Sequence, residues 1–164
     1  MKIDFKNNVT VKDSMIFESI FEEELQLSLE EKTELLENCE KTWMFVDGEI
    51  AGEIYTISVQ KLIGEGVEEP DDQKIVDDIT PYVDYGVYYH STSILPRFRG
   101  LGLSKIFKCF HNGYLKGLGY KVIVGHSTSD EIEKVNESLG AKHIRTHENW
   151  YETDRAAKFY ELYI

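Results

Sequence analysis

Ile94-Leu95-Pro96-Arg97-Phe98-Arg99-Gly100-Leu101-Gly102-Leu103-Ser104 is the stretch on which the reading of this chain turns. Before it, Val87 to Ile94 is rich in β-branched and aromatic residues, the composition of a strand. Pro96 has no N–H to donate and ends the ladder. After it, Ser104 to Lys116 carries Ile106, Phe107, Phe110 and Tyr114 at helical spacing. The order is strand, tight glycine turn, helix. Such a turn aims several backbone N–H groups, and the positive end of a helix, at one point. Glycine lets an oxyanion approach the backbone where a side chain would keep it away. The stretch therefore predicts a site for a phosphorylated ligand, although two glycines before a helix also fit a plain tight turn. Two nucleotide signatures are excluded. A P-loop ends in Gly-Lys-Ser/Thr, and here Gly102 is followed by Leu103-Ser104. A dinucleotide fingerprint needs three glycines and an acidic residue after the next strand, and neither is present.

The same residues resemble the pyrophosphate loop of the GNAT superfamily of acetyltransferases, Arg/Gln-x-x-Gly-x-Gly/Ala after a strand ending in Val-x-Pro. Ile94-Leu95-Pro96 matches the strand end, and Arg99-Gly100-Leu101-Gly102-Leu103-Ser104 matches the loop. The resemblance implies that acetyl-CoA binds here. The N–H groups of Leu101 to Ser104 would cradle its pyrophosphate, and the backbone around Ile94 and Leu95 would pair with its pantetheine arm. The downstream order fits the same family. Tyr120 to Val124 reads as a buried strand, Asp130 to Leu139 as a helix stopped by Gly140, and Lys142 to Trp150 and Ala156 to Tyr163 as closing strands. Relatives often carry Asn, then a helix, then Tyr-x-x-Leu-Gly-Phe. Here Asn136 stands where a tyrosine often protonates the departing thiolate, and Ser129 where the asparagine often sits.

Upstream, Met1 to Val11 reads as an opening strand. Asp13 to Leu27 has near-helical apolar spacing with Asp13 or Ser14 as cap. Ser28-Leu29-Glu30-Glu31 reads as a capping box starting a second helix that ends near Cys39. Thr42 to Val46, the turn signal Asp47-Gly48 and Glu49 to Leu62 read as a hairpin. Two helices followed by a hairpin also resemble the first half of a GNAT fold, where the helices cover the acceptor pocket. Gly64 to Pro81 is an acidic insertion, crowded with Glu65, Glu68, Glu69, Asp71, Asp72, Asp77 and Asp78. It reads either as a solvated loop or as an acidic lid that recruits an amine.

The expected architecture is one α/β (α+β) domain over residues 1–164, a central mixed, mostly antiparallel sheet flanked by helices. No apolar run approaches the ~20 residues of a membrane span, and Met1 to Lys6 lacks a signal-peptide core. Cys39 and Cys109 make neither a disulfide framework nor a metal cluster. Cys109 reads as a core residue. The expectation is a cytoplasmic protein. A formal net charge of −12 disfavours nucleic acid and suits either solubility or a cationic substrate.

Acetyl transfer to an amine needs a proton acceptor, a donor for the carbonyl oxygen and proximity, but no covalent enzyme intermediate. Tyr88, His90, Thr92 and Ile94 share one strand face. By its spacing from Ile94, Tyr88 falls where many relatives carry a glutamate base. A phenol, with a reference pKa of ~10, is a poor base at neutral pH, whereas His90 titrates near ~6.5. Glu53 is a further candidate for base or amine anchor, and His126 for proton relay or acceptor contact. Asn136 could hydrogen-bond the CoA sulfur but cannot act as an acid. His143, Arg145 and His147 share a late strand face, where a metal would lack a third ligand, so none is expected. The residues and the resemblance together lead to the expectation of direct, acetyl-CoA-dependent N-acetylation of a small-molecule or protein amine, without nucleic acid or membrane and with homodimerisation left open. The alternative is a catalytically degenerate GNAT-like CoA-binding or protein-interaction module.

Overall fold

The hairpin forms where Asp47-Gly48 signals it. Both residues take positive φ, 49° and 88°, and join β2 (Glu40–Val46) to β3 (Glu49–Ser58). A two-residue turn of this kind matches the twist of its strands. The computed structural model describes residues 1–164, apart from the side chain of Glu24. The remaining strands are β1 (Ile3–Lys6), β4 (Gly86–Ile94), β5 (Val122–Ser127), β6 (Lys142–His147) and β7 (Ala157–Tyr163). They make one mixed sheet in the order β1-β2-β3-β4-β5-β7-β6. The helices are α1 (Val11–Ser14), α2 (Leu29–Asn38), α3 (Val59–Glu65), α4 (Pro70–Ile79), α5 (Leu103–Gly117) and α6 (Asp130–Ser138).

The chain divides into two compact units, Met1–Thr56 with His90–His111, and Ile57–Tyr89 with Asn112–Ile164. In the first, β1 pairs with β2 and β2 with β3, all antiparallel. The expected capping box holds: Glu31 N–H donates to Ser28 Oγ, and Ser28 N–H donates to the Glu31 carboxylate. Residues 13–27 depart from the expected helix. Thr10, not Asp13 or Ser14, caps the four-residue α1, and the chain then tightens into 3₁₀ turns over Met15–Ile20 and Glu23–Leu25. Phe17, Leu36, Trp43, Met44, Ile54 and Phe107 form the buried centre. Phe107 lies so close to Gly52 that a Cβ there would meet its ring at 2.7 Å.

The buried stripe of α5 in this unit is Leu103, Phe107, Lys108 and His111. Ile106 and Phe110, expected inside, are exposed, and Phe110 stacks on Phe5 at 4.2 Å. Cys109 is also exposed, contrary to its reading as core. The sequence stripe was one helical step out of phase because polar Lys108 and His111 face inward.

In the second unit β4 and β5 are parallel, and β7 pairs antiparallel with both β5 and β6. Its core is Val59, Ile79, Tyr82, Val122, Val124 and Phe159. The acidic insertion is not a loop. β3 stops at Ser58, whose side chain caps α3, and α4 occupies most of the remainder. Pro70 opens α4, and the Asp72 carboxylate accepts from the N–H groups of Glu68 and Glu69. The acids therefore include helix-start signals, favoured at the positive end of the helix dipole. Among the described residues, no helix is long and apolar enough to cross a membrane.

Candidate functional site

The phosphate-loop stretch adopts the expected order. β4 ends at Ile94, Pro96–Phe98 make one 3₁₀ turn, and α5 begins at Leu103. Gly100 and Gly102 have φ of 76° and 70°, the left-handed region that side chains resist. A Cβ built on either would meet nothing within 4 Å, and Gly100, Leu101 and Gly102 are exposed. The first turn of a helix leaves N–H groups without intrahelical acceptors, so Leu103 and Ser104 present donors at the same place. Arg99 Nε donates to the Ile94 carbonyl at 2.8 Å, which pins the loop to the strand end. The arrangement has the open face and the donor set an anionic diphosphate requires. Leu95 departs from its expected role. Its N–H donates to Ala51 and its carbonyl accepts from Phe98 N–H, so its backbone is engaged within the protein. Because strand residues alternate edges, the N–H of Ile94 and the carbonyl of Thr92 face the other side of β4. The ladder with β5 runs from Gly86–Val122 to Tyr88–Val124, while β4 continues to Ile94.

The alternation expected along β4 is present, with Val87, Tyr89 and Ser93 buried. His90 is exposed, 5.3 Å from the Tyr55 ring. Protein crowding around the imidazole, with Lys32 adding positive charge, lowers its pKa. His90 is therefore neutral at pH 7 and able to take a proton. Glu53 has a different fate. It is 1% exposed; one oxygen pairs with Lys32 Nζ at 2.6 Å, and the other accepts from Trp43 Nε1 at 2.7 Å and from Ser14 Oγ. Lys32 also pairs with Glu18 at 2.8 Å. Burial opposes the ammonium charge, but the two carboxylates outweigh it and raise the Lys32 pKa. Glu53 is thus a spoke of a buried ion network, which replaces its reading as base or amine anchor.

In the second unit, Tyr88 and His126 meet. Tyr88 Oη lies 3.1 Å from His126 Nδ1, and His126 Nε2 lies 3.0 Å from Asp78 Oδ2. His147 Nε2 reaches the same oxygen at 2.6 Å, and Arg145 Nη1 stands 3.1 Å from Asp78 Oδ1. Burial pushes the His126 imidazole down to about 4 despite Asp78. A neutral ring that donates from Nε2 to Asp78 must accept at Nδ1, so Tyr88 donates its O–H to it. Both ring nitrogens are occupied, which leaves His126 none to offer an acceptor. Burial also raises the Tyr88 phenol, which removes it as a base. Asp78, unnoticed in the sequence as more than one acid among many, is the hub. His143 does not join: it is exposed and meets Thr146 Oγ1 at 3.1 Å.

Asn136 is buried on α6 and Tyr160 on β7. Both line a pocket of about 100 Å³. Tyr160 pairs across the ladder with Gly125, where a Cβ would meet its hydroxyl at 2.8 Å. The missing side chain of Gly125 makes room for that phenol. Burial keeps it protonated by raising its pKa.

No family model and no curated protein matches this sequence. Solved structures do match over nearly the whole chain. A Drosophila melanogaster polyamine N-acetyltransferase that forms N-acetylagmatine has a TM-score of 0.71 at 13% identity, covering 99% of this chain and all of its own. An acetyltransferase of the GNAT family from Streptococcus pneumoniae gives 0.69 at 12%, covering 99% of both chains. The protein yncA of Salmonella typhimurium, assigned as an acetyltransferase and solved with its cofactor acetyl-CoA, gives 0.72 at 12%, covering 98% of this chain and 93% of its own. With a seven-stranded mixed sheet in this order and a two-glycine loop between β4 and α5, the chain has the fold of the GNAT N-acetyltransferases.

Proposed function

We propose that the protein is an N-acetyltransferase that moves an acetyl group from acetyl-CoA directly onto a primary amine. The observation that carries this reading is the loop Arg99–Gly102, exposed and with two positive-φ glycines, leading straight into α5. Bound acetyl-CoA supplies an activated thioester. The N–H groups of Leu101, Gly102, Leu103 and Ser104 would hold its pyrophosphate, with Arg99 and Gly100 shaping the loop. Ile94 N–H and the Thr92 carbonyl would pair with the pantetheine arm. His90, neutral at pH 7, accepts the proton of the incoming amine. Asn136 cannot supply the proton that a tyrosine at its position gives the departing sulfur in relatives. A net charge of −12 favours a cationic acceptor, and the Drosophila neighbour's formation of N-acetylagmatine is consistent with a small polyamine-like amine.

The deciding experiment is calorimetric titration with acetyl-CoA and with CoA, using Gly102→Glu as control. Binding by wild type and its loss in the variant, which places bulk and negative charge at the pyrophosphate, supports the reading and leads to an amine panel. A wild type that binds neither compound points to a GNAT-like module acting through protein contacts. Tyr88 in place of a glutamate and Asn136 in place of a tyrosine favour that second reading.

A further inference from the structure

We propose that Asp78, His126 and His147 form a binding site for a divalent transition-metal ion, with zinc the best match to the ligands. The three side chains come from α4, β5 and the end of β6, and their ligand atoms all lie within 4.8 Å of one another. In a tetrahedral site with bonds of about 2.0 Å, neighbouring ligand atoms stand about 3.3 Å apart. From Asp78 Oδ2, the His126 Nε2 at 3.0 Å need move by only about 0.3 Å and the His147 Nε2 at 2.6 Å by about 0.7 Å to reach that spacing. Two imidazoles and one carboxylate are a nitrogen–oxygen set of the kind that binds zinc, and three protein ligands leave a fourth position for water.

Three surrounding features point to an ion rather than to a self-sufficient hydrogen-bond cluster. Asp78 is 4% exposed, yet its Oδ1 takes no hydrogen bond of normal geometry among the described residues. Arg145 Nη1 lies 3.1 Å from it as an ionic contact, on a side chain 58% exposed and free to swing out when a dication arrives. Tyr88 Oη stands 3.1 Å from Nδ1 of His126, the position from which an outer partner fixes a ligating imidazole. On metal binding at Nε2 the ring proton resides on Nδ1 and is donated to the Tyr88 oxygen, so His126 stays neutral. Finally, Trp150 stacks on both imidazoles, with ring centroids 4.9 Å from His126 and 5.5 Å from His147, and Phe159 stands 4.9 Å from His126. A polar centre inside an apolar wall is how metal sites limit water and lower the local dielectric.

The cluster is separate in sequence and in chemistry from the phosphate loop, so its test does not depend on acetyl-CoA binding. The full-length chain is dialysed against chelator and titrated with cobalt(II) alone, then with zinc(II) alone. One equivalent of cobalt should bind with the strong visible absorption of a low-coordinate ion and be displaced by zinc. Zinc should also raise the melting temperature. His147→Ala, whose side chain is 15% exposed and least burdened with packing, should lose at least about a hundredfold in affinity. Asp78→Asn should do the same, and Tyr88→Phe should lose about tenfold. His143→Ala, on an exposed part of β6, should bind like wild type. Circular dichroism and melting without metal establish that each variant is folded. The proposal fails if wild type binds neither ion stoichiometrically. It fails equally if folded His147→Ala retains wild-type affinity, which would put the ion elsewhere.

Discussion

Single residues divide here into those that hold charge inside the protein and those left free to use it. Lys32 belongs to the first group. Its ammonium neutralises Glu18 and Glu53, all three almost without solvent contact. Removing one partner of such a set leaves an uncompensated buried charge, which costs about 3–5 kcal/mol. Lys32→Met should therefore lower stability by that amount in urea denaturation, whereas a loss under about 1 kcal/mol would mean the carboxylates simply take up protons. His90 belongs to the second group. If it is the base, His90→Ala should reduce kcat at pH 7 by about 10²–10⁴ while acetyl-CoA affinity stays near wild type. The sign of its pH dependence follows from the lowered pKa. The imidazole works when deprotonated, so kcat/KM should be flat around pH 7 and fall only below ~6.5. An unchanged rate and pH profile in the variant would clear His90 of the role. Residue identity alone did not separate these cases. Glu53 and His90 looked like comparable candidates in the sequence, because the ion pair that disables Glu53 comes from a residue 21 positions earlier.

At the scale of elements, what the sequence made legible was local chemistry. The Asp47-Gly48 turn, the Ser28–Glu31 capping box and the strand–glycine–helix order at Ile94–Ser104 all appear where the residues placed them. Each is decided within a few residues, by φ preference or by a side chain reaching its own backbone. Ser28→Ala should accordingly cost about 1 kcal/mol through loss of the cap, read as a lower denaturation midpoint at unchanged slope. An effect within a few tenths would mean α2 is held by the Lys32 network alone. α4 was missed because its acids were counted as solvated charge. Three of them are instead tied to partners: Asp72 to the N–H groups of Glu68 and Glu69 and to Tyr151 Oη, Asp71 to Lys74 and Tyr151 N–H, and Asp78 to the histidine cluster. The cluster itself was invisible for a different reason. Asp78 stands 48 residues from His126 and 69 from His147, and only the sheet order, which puts β7 between β5 and β6, brings the imidazoles together. Of the late histidine pair seen in the sequence only His147 joins the cluster, and its other two members, Asp78 and His126, come from outside its strand.

For the whole molecule, the balance of charge and burial sets how stability responds to acid. With 30 acidic against 18 basic residues, the folded surface carries strong self-repulsion near neutral pH. Between pH 6.5 and 5 the carboxylates remain largely ionised, so that repulsion changes little. Buried histidines change most in this window. His111 on α5 has no solvent exposure and sits between Thr42 Oγ1 at 2.9 Å and Thr56 Oγ1 at 3.2 Å. Burial pushes it down to about 3, aided by Lys108. In the unfolded chain it protonates near ~6.5. Below that pH the unfolded state binds a proton that the folded state refuses, so the stabilising contribution is whole above ~6.5 and is lost as pH falls toward about 3. The loss amounts to about 1.4 kcal/mol per pH unit for one such group. His126, also lowered, acts with the same sign. Urea denaturation at intervals from pH 7 to 5 should thus give a stability that declines with acid in wild type and, averaged over that range, about 1 kcal/mol per unit less steeply in His111→Asn. Comparing slopes rather than absolute stabilities removes the packing cost of the substitution. Parallel slopes would mean that His111 takes up its proton in the folded state, which would require its two threonine partners to yield and α5 to lift from the strands beneath it.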